Sequence, residues 1–385
     1  MAGRMSAPNS VAIREAGKMP LKLCRVAHLH STLGIYGAER WTFALIKHLN
    51  VDEIESFVVT IGTKPGADSF YQLLRLNKFQ AFHLAIPGKL NPRIAMRLRQ
   101  FLIDHRIDVL HTHGFKADVI GYLTTRGMPV KLVSTIHGWS TGEGRIIRTY
   151  EAISRVFLRR FDRVFPLSPG LLQGLEEKRF DPLKLRLVLN GVDLSALNFN
   201  FRERGLKDPI EFLFAGRLCK PKGVIELVHA FARAKFDVPA KLRIVGDGPD
   251  RTELEALCKS LGISDNVQFF GAVPSITPYL ETSNALILPS HSEGIPRVVM
   301  EAFAAGVPVI GTAIPGIQLL VNDEDTGFLV PVRSPELLAR AMEKMAVRPE
   351  LARKMAINAR EVVIAKYSAN RMGEDFRKEY QQLSC

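Results

Sequence analysis

Short apolar runs, each followed by a helical segment, recur along both halves of this 385-residue chain, and no other feature restricts its fold as strongly. Repeated strand–helix units bury each strand under crossover helices, the pattern of a doubly wound parallel sheet. In the first half, residues 21–28, 57–61, 108–111, 131–136 and 185–189 read as strands, with helices at 38–49, 92–105 and 145–163. In the second half, 211–215 and 285–288 read as strands, as do the runs ending at Val245 and Gly271. Helices are expected at 296–305, 335–346, 350–367 and 368–383, while residues 194–209 lack periodicity and read as a linker. The expectation is an α/β chain with two parallel-sheet domains at 21–194 and 209–367. Its length and 46% hydrophobic content suffice for two cores.

Within the second half, residues 289–310 (PSHSEGIPRVVMEAFAAGVPVI) concentrate the chemistry. Glu293 and Glu301 stand eight residues apart across an expected helix start. Eight helical residues advance ~12 Å, so the two carboxylates can address opposite ends of an elongated ligand. Gly294 lets a backbone come close, and Pro296 suits a first helical turn. The amides around Gly294, Ile295 and Arg297 are helix-start donors suited to an anion. A diphosphate-linked sugar has this shape; two solvated helix carboxylates are the alternative.

The Glu-x7-Glu pair, followed by Ala302, Gly306 and Pro308, resembles the retaining glycosyltransferases of family 4, the group 1 enzymes of GT-B fold. The resemblance implies two Rossmann-like domains facing a cleft, with Glu293 on the hydroxyls of the donor sugar and Glu301 on the nucleotide ribose. Gly216-Arg217-x4-Lys222-Gly223 is similar to the same family's diphosphate site. Two fixed cations there would stabilise charge on the departing diphosphate in place of a magnesium clamp. Gly246 opens a tight turn in the family's order, and Phe270 ends a strand where the nucleotide base rests in that family. Gly37-Ala38-Glu39-Arg40 resembles the family's Gly-Gly-Ala-Glu-Arg loop beside the donor phosphate, with Tyr36 replacing the first glycine. The Thr135-x-His137 context implies a histidine beside sugar and acceptor. The tail at 368–385 is expected to cross back onto the first domain, as the family's does. The resemblance runs from residue 21 onward.

Charge asymmetry bears on the acceptor. Residues 1–200 carry 28 Lys and Arg against 16 Asp and Glu, whereas residues 201–385 carry 24 against 23. A basic first half suits an anionic partner, although a merely solubilising surface would also be basic. Residues 145–163 hold six arginines, with Ile146, Ile147, Tyr150, Ile153, Val156, Phe157 and Phe161 at helical spacing. A basic amphipathic helix of this kind can lie in an anionic membrane interface, with Arg148, Arg155, Arg159 and Arg160 on headgroups; an ordinary packed helix is the competing reading. Residues 1–20 lack an apolar run of signal-peptide length, and no stretch offers the ~20 apolar residues of a membrane span. The expected place is the cytoplasm, peripherally on the cytoplasmic membrane face.

His111 and His113 close a strand, where ligands bind open α/β sheets, and are read as acceptor-side candidates with His137. No third ligand is apparent for a metal at His111 and His113, and Asp323-Glu324-Asp325 reads as an exposed turn. Cys24, Cys219, Cys258 and Cys385 lack ligand spacing. The expected activity is therefore a metal-independent, cofactor-free transfer of a sugar from a UDP- or GDP-sugar to a lipid-linked or surface-polysaccharide acceptor, as in lipopolysaccharide assembly. His137, Glu293, Arg217 and Lys222 are the expected catalytic residues. Gly37, Gly216, Gly246, Phe270, Gly294, Ile295, Pro296 and Glu301 complete the donor site. A GT-B epimerase or phosphorylase is a rival reading, as is a non-catalytic lipid- or nucleic-acid-binding protein. The chain shows no nucleic-acid module, and none is expected as a partner.

Overall fold

A computed structural model describes residues 23–31, 34–35, 37–62, 68–86, 91–137, 145–197, 199, 201–203 and 208–384, without the side chains of 145–151 and 196. Among these residues two six-stranded parallel sheets form. The first comprises β1 (Cys24–His30), β2 (Ile54–Gly62), β3 (Gln80–Ala85), β4 (Val109–His113), β5 (Lys131–Ile136) and β6 (Arg163–Pro166). Its order is β3-β2-β1-β4-β5-β6. The second comprises β7 (Ile210–Ala215), β8 (Ala240–Val245), β9 (Val267–Gly271), β10 (Ala285–Leu288), β11 (Val309–Thr312) and β12 (Gly327–Val330). It runs β12-β11-β10-β7-β8-β9, the same winding read from the other edge. Each sheet therefore reverses direction beside its first strand, at β1/β4 and at β7/β10, where such sheets open a crevice for ligands.

Alternation along β1 shows how the first sheet is covered on both faces. Ala27 and Leu29 join Leu98, Leu102 and Ile120 in one core, whereas Cys24 and Val26 join Trp41, Leu45, Phe376 and Tyr380 in another. Phe376 and Tyr380 belong to the last helix, Ala369–Ser384, which thus crosses from the second half to the first. Val192 fixes the crossing: its amide donates to Tyr367 O (2.8 Å), and its carbonyl accepts from Ala369 N (2.9 Å). Arg377 then pairs with Glu53 at 2.7 Å.

Several local expectations are corrected. The helix expected to run to Arg163 ends at Leu158, and Arg163 opens β6, because Asp162 caps the sheet edge by accepting from Leu132 N at 2.9 Å. Residues 185–189 form no strand: Leu185 makes an isolated bridge to Val164, and the Arg186 and Val188 amides donate to Val164 O and Pro166 O of β6. Pro296 stands before its helix in an extended conformation (φ −72°, ψ 112°) rather than in the first turn. β3, β6 and β11 were not expected. No helix among the described residues is long and apolar enough to cross a membrane.

Candidate active site

The carboxyl ends of β7 and β10, adjacent in the sheet, bring the two strongest motifs together. β7 runs into Gly216-Arg217 and a single 3-10 turn, Lys220–Lys222; β10 runs into the loop before the helix Arg297–Ala305. Gly223 makes the approach possible. Its φ is +64°, and a Cβ there would lie 2.1 Å from Pro289 O. His291 N donates to Pro221 O at 2.8 Å, and the His291 ring meets Glu226 Oε1 at 2.9 Å, so the two loops are joined by backbone and side chain.

Lys222 consequently reaches Glu293 across 71 residues of sequence: Nζ donates to Oε1 at 2.6 Å. Ser290 Oγ donates to the same oxygen at 2.8 Å, and the Thr312 hydroxyl donates to Ser290 O. The Lys222 and Glu293 side chains are 27% and 12% exposed, so both groups are held yet remain accessible. Arg217 is exposed and forms no ion pair with a described residue, which leaves its guanidinium available to an anion. Glu301 lies one turn into the helix and accepts from Arg297 Nε at 2.9 Å. Gly294 is exposed, with open space where a Cβ would stand. Beneath it, a Cβ on Gly316 would fall 1.8 Å from Gly294 O. No side chain caps the helix at Pro296, so its first amides keep their donor capacity beside Gly294 and half-buried Ile295. Gly246 N donates to Gly271 O (2.8 Å) and Gly216 N to Val245 O (2.9 Å), which stitches the neighbouring strand ends together. Phe270 is half-buried and edge-on to Tyr279, with ring centroids 4.8 Å apart.

The first sheet contributes a different surface. Register pairs His28 with His111 and His30 with His113 across β1 and β4, and His113 with Thr135 across β4 and β5. Paired residues share a face and alternate residues return to it, so four strand histidines project from one side. His137 follows β5 and meets them: its Nε2 lies 3.3 Å from His113 Nδ1, and its ring lies 5.0 Å from Trp41. His111 contacts Tyr380 Oη (2.6 Å) and Thr135 Oγ1 (2.7 Å). Burial, together with neighbouring His30, pushes His28 and His137 down to about 3, with Glu39 opposing at His137; His111 and His113 are lowered by burial and by the other histidines. These rings are neutral at pH 7.

Sequence reasoning is corrected here at one point: His111 and His113 do have a third imidazole beside them, His28. Sequence reasoning also missed Ser290, His291, Glu226 and Gly316, and the side-chain role of Arg297. Their signal was proximity to the motifs, but their partners lie 65 residues away in the case of His291 and Glu226. Gly37 begins the helix Gly37–His48 and is exposed, whereas Tyr36 lies outside the described residues. Arg40 of this helix donates to Pro274 O at 3.2 Å and so spans the two halves. No hydrogen bond or ring contact among the described residues joins the histidines to the Lys222–Glu293 pair. Asp323, Glu324 and Asp325 are exposed, and Asp323 accepts from Leu329 N, which makes them a turn.

Of the four arginines expected at a membrane, the Arg148 side chain lies outside the described residues and Arg155 is half-buried. Arg159 donates to Lys178 O (2.8 Å) and Arg160 to Tyr122 Oη (3.0 Å). The expected apolar face divides. Phe161 enters the core and Phe157 packs on Tyr122, but Ile153 and Val156 remain 41% and 55% exposed.

Comparison with known proteins agrees with this architecture. Residues 198–362 match the family described as Glycosyl transferases group 1, and residues 35–196 match Glycosyltransferase Family 4. The chain is 27% identical over 302 residues to the N-acetyl-alpha-D-glucosaminyl L-malate synthase of Bacillus anthracis, which covers 75% of this chain and 78% of the relative. A glycosyltransferase from Rickettsia africae superposes with a TM-score of 0.78 at 21% identity over 94% of this chain and 99% of its own. Anabaena Alr3699/HepE, solved in complex with UDP, gives 0.78 at 19% identity over 92% and 99%. With both halves matched and both sheets in the same winding, the chain belongs to the group 1, family 4 glycosyltransferases of GT-B fold.

Proposed function

We propose that this glycosyltransferase moves a sugar, with retention of configuration, from a UDP- or GDP-sugar to a lipid-linked or surface-polysaccharide acceptor at the cytoplasmic face of a membrane. The observation that carries the reading is the 2.6 Å contact between Lys222 and Glu293. One is a cation suited to a leaving diphosphate and the other a carboxylate suited to sugar hydroxyls, and they meet where the two parts of a nucleotide sugar join. Arg217 adds a second positive charge, and the uncapped helix at Pro296 adds amide donors. With those cations in place the transfer runs without a metal clamp. Glu301, one turn into the helix Arg297–Ala305, is assigned to the ribose. His137 lines the acceptor side, and the departing phosphate oxygen takes the acceptor proton on the face from which it leaves. UDP bound to the similar Anabaena fold supports a uridine donor. The exposed Ile153 and Val156 on a basic helix support a lipid-bound acceptor.

Binding calorimetry separates the two glutamates. Glu301→Ala should weaken UDP or GDP at least tenfold, whereas Glu293→Ala should leave nucleotide affinity within threefold and abolish the gain in affinity from the attached sugar. Equal losses in both variants would overturn the division of roles. Turnover of donor without any acceptor would favour an epimerase.

A further inference from the structure

Strand faces in this fold are ordinarily filled by Val, Leu and Ile, yet one face of the first sheet carries His28, His30, His111 and His113, with His137 at its margin. The four strand histidines are at most 4% exposed. Buried imidazoles need partners for both ring nitrogens, and this set is incompletely served. His30 Nε2 meets Thr42 Oγ1 at 3.0 Å, and His111 meets two hydroxyls. His28 Nδ1 faces His113 Nε2 at 3.3 Å, long for a hydrogen bond, and His28 Nε2 is buried without a partner among the described residues.

A metal ion between the facing nitrogens accounts for the close approach of His28 Nδ1 and His113 Nε2. One ligand atom from each of His28, His111 and His113 lies within 4.8 Å of the other two. A tetrahedral ion with metal–nitrogen bonds of ~2.05 Å holds its ligand nitrogens ~3.3 Å apart, which is the His28–His113 separation. Bound imidazoles also need an outer partner for the second nitrogen. His137 stands at that position for His113, and Tyr380 or Thr135 for His111; ligation through His28 Nδ1 leaves His28 Nε2 as the outer nitrogen, which has no hydrogen-bond partner among the described residues. We infer that His28, His111 and His113 form a binding site for one borderline divalent cation of the Zn2+, Co2+ or Ni2+ class. All-imidazole ligation excludes Mg2+ and Ca2+, which take oxygen ligands. The site is separate from the Lys222–Glu293 pair and does not neutralise the diphosphate. It ties β1 to β4 and, through Tyr380, to the final helix, and it reaches His137, the residue assigned to the acceptor side under the proposed function.

The test uses full-length protein without a histidine tag, stripped with chelator and exchanged into metal-free buffer. Co2+ should bind at one equivalent with a tetrahedral visible absorption band, Zn2+ should displace it, and Zn2+ should raise Tm where Mg2+ does not. His28→Gln and His113→Gln should each weaken Co2+ at least tenfold, while His229→Gln in the second half should bind as the parent does. Should either cluster variant fail to fold by circular dichroism, X-ray absorption of the zinc-loaded parent decides. A first shell with three imidazoles supports the site. Absence of the cobalt band, binding unchanged in folded cluster variants, or a shell without imidazole would show a hydrogen-bonded histidine stack only.

Discussion

Lys222 and Arg217 differ in surroundings in a way that bears on their chemistry. Lys222 is tied to Glu293, whereas Arg217 has no ion-pair partner among the described residues, so Lys222 is held in place and Arg217 is free to close on a phosphate. In the proposed transfer, charge on the diphosphate is greatest as the sugar bond breaks, so either cation would act mainly in the transition state. Lys222→Ala or Arg217→Ala should lower kcat by roughly 100-fold, about 3 kcal/mol, with a smaller effect on donor affinity. Steady-state kinetics with the true donor checks this, and parent-level kcat in both variants would remove them from the site. A second residue acts on stability. Asp118 accepts from Thr112 (2.6 Å), Ser134 (2.8 Å) and Ser154 (2.9 Å), and burial pushes its carboxyl up to about 6 against those hydroxyls. Because its folded pKa lies above the unfolded value, its contribution is fully present below about 4 and is lost as pH rises through about 6. Relative to Asp118→Asn, the parent should lose roughly 3 kcal/mol between pH 4 and pH 7. Urea titrations of both proteins across that range measure the difference; a gap independent of pH would contradict it.

At the level of elements, the described part of the helix Arg145–Leu158 departs from its expected apolar face. Ser154 and Leu158 face inward, so among the described side chains the exposed apolar patch reduces to Ile153 and Val156; those of Ile146, Ile147 and Tyr150 lie outside the described residues. Anionic liposomes should still bind the protein at low salt, and Ile153→Ser with Val156→Ser should reduce cosedimentation at least fivefold, while replacing Arg159 and Arg160 by Gln should weaken binding at low salt and lower its dependence on salt. A parent that ignores anionic liposomes, or a serine variant that binds as well, would show ordinary packing. Most of the strands were legible because they pair short apolar runs with flanking turns, as at Lys131–Ile136 and Ala285–Leu288. β3 was missed because it is an edge strand with Gln80 and Ala85 exposed, and β6 because four residues after a helix continue its apolar spacing. The Lys222 and Glu293 motifs were legible separately. Their contact was not, since it depends on strand order and on Gly223 meeting Pro289. The histidine cluster was likewise divided in sequence between β1 and β4, which lie 85 residues apart at His28 and His113.

For the whole molecule, the final helix makes the stability of the first half depend on the far end of the chain. Phe376 and Tyr380 fill the core behind β1 and β4, and the Phe376 ring lies 5.3 Å from Trp41. The second half has its own core, centred on Phe212, Phe214 and Phe303, which does not include Phe376. Truncating a buried Phe to Ala costs about 3–5 kcal/mol through lost burial and a residual cavity. Phe376→Ala should therefore destabilise the first half by that amount and leave the second nearly unchanged, which would split one unfolding transition into two. The sequence supplies the probe for this. Both tryptophans, Trp41 and Trp139, fall in the first half, so their fluorescence follows that half alone while calorimetry follows both. In the variant the fluorescence midpoint should fall well below the last calorimetric transition. If fluorescence and heat capacity still change together, or if the second transition moves as far as the first, the two cores unfold as one unit and the crossing helix does more than complete the first.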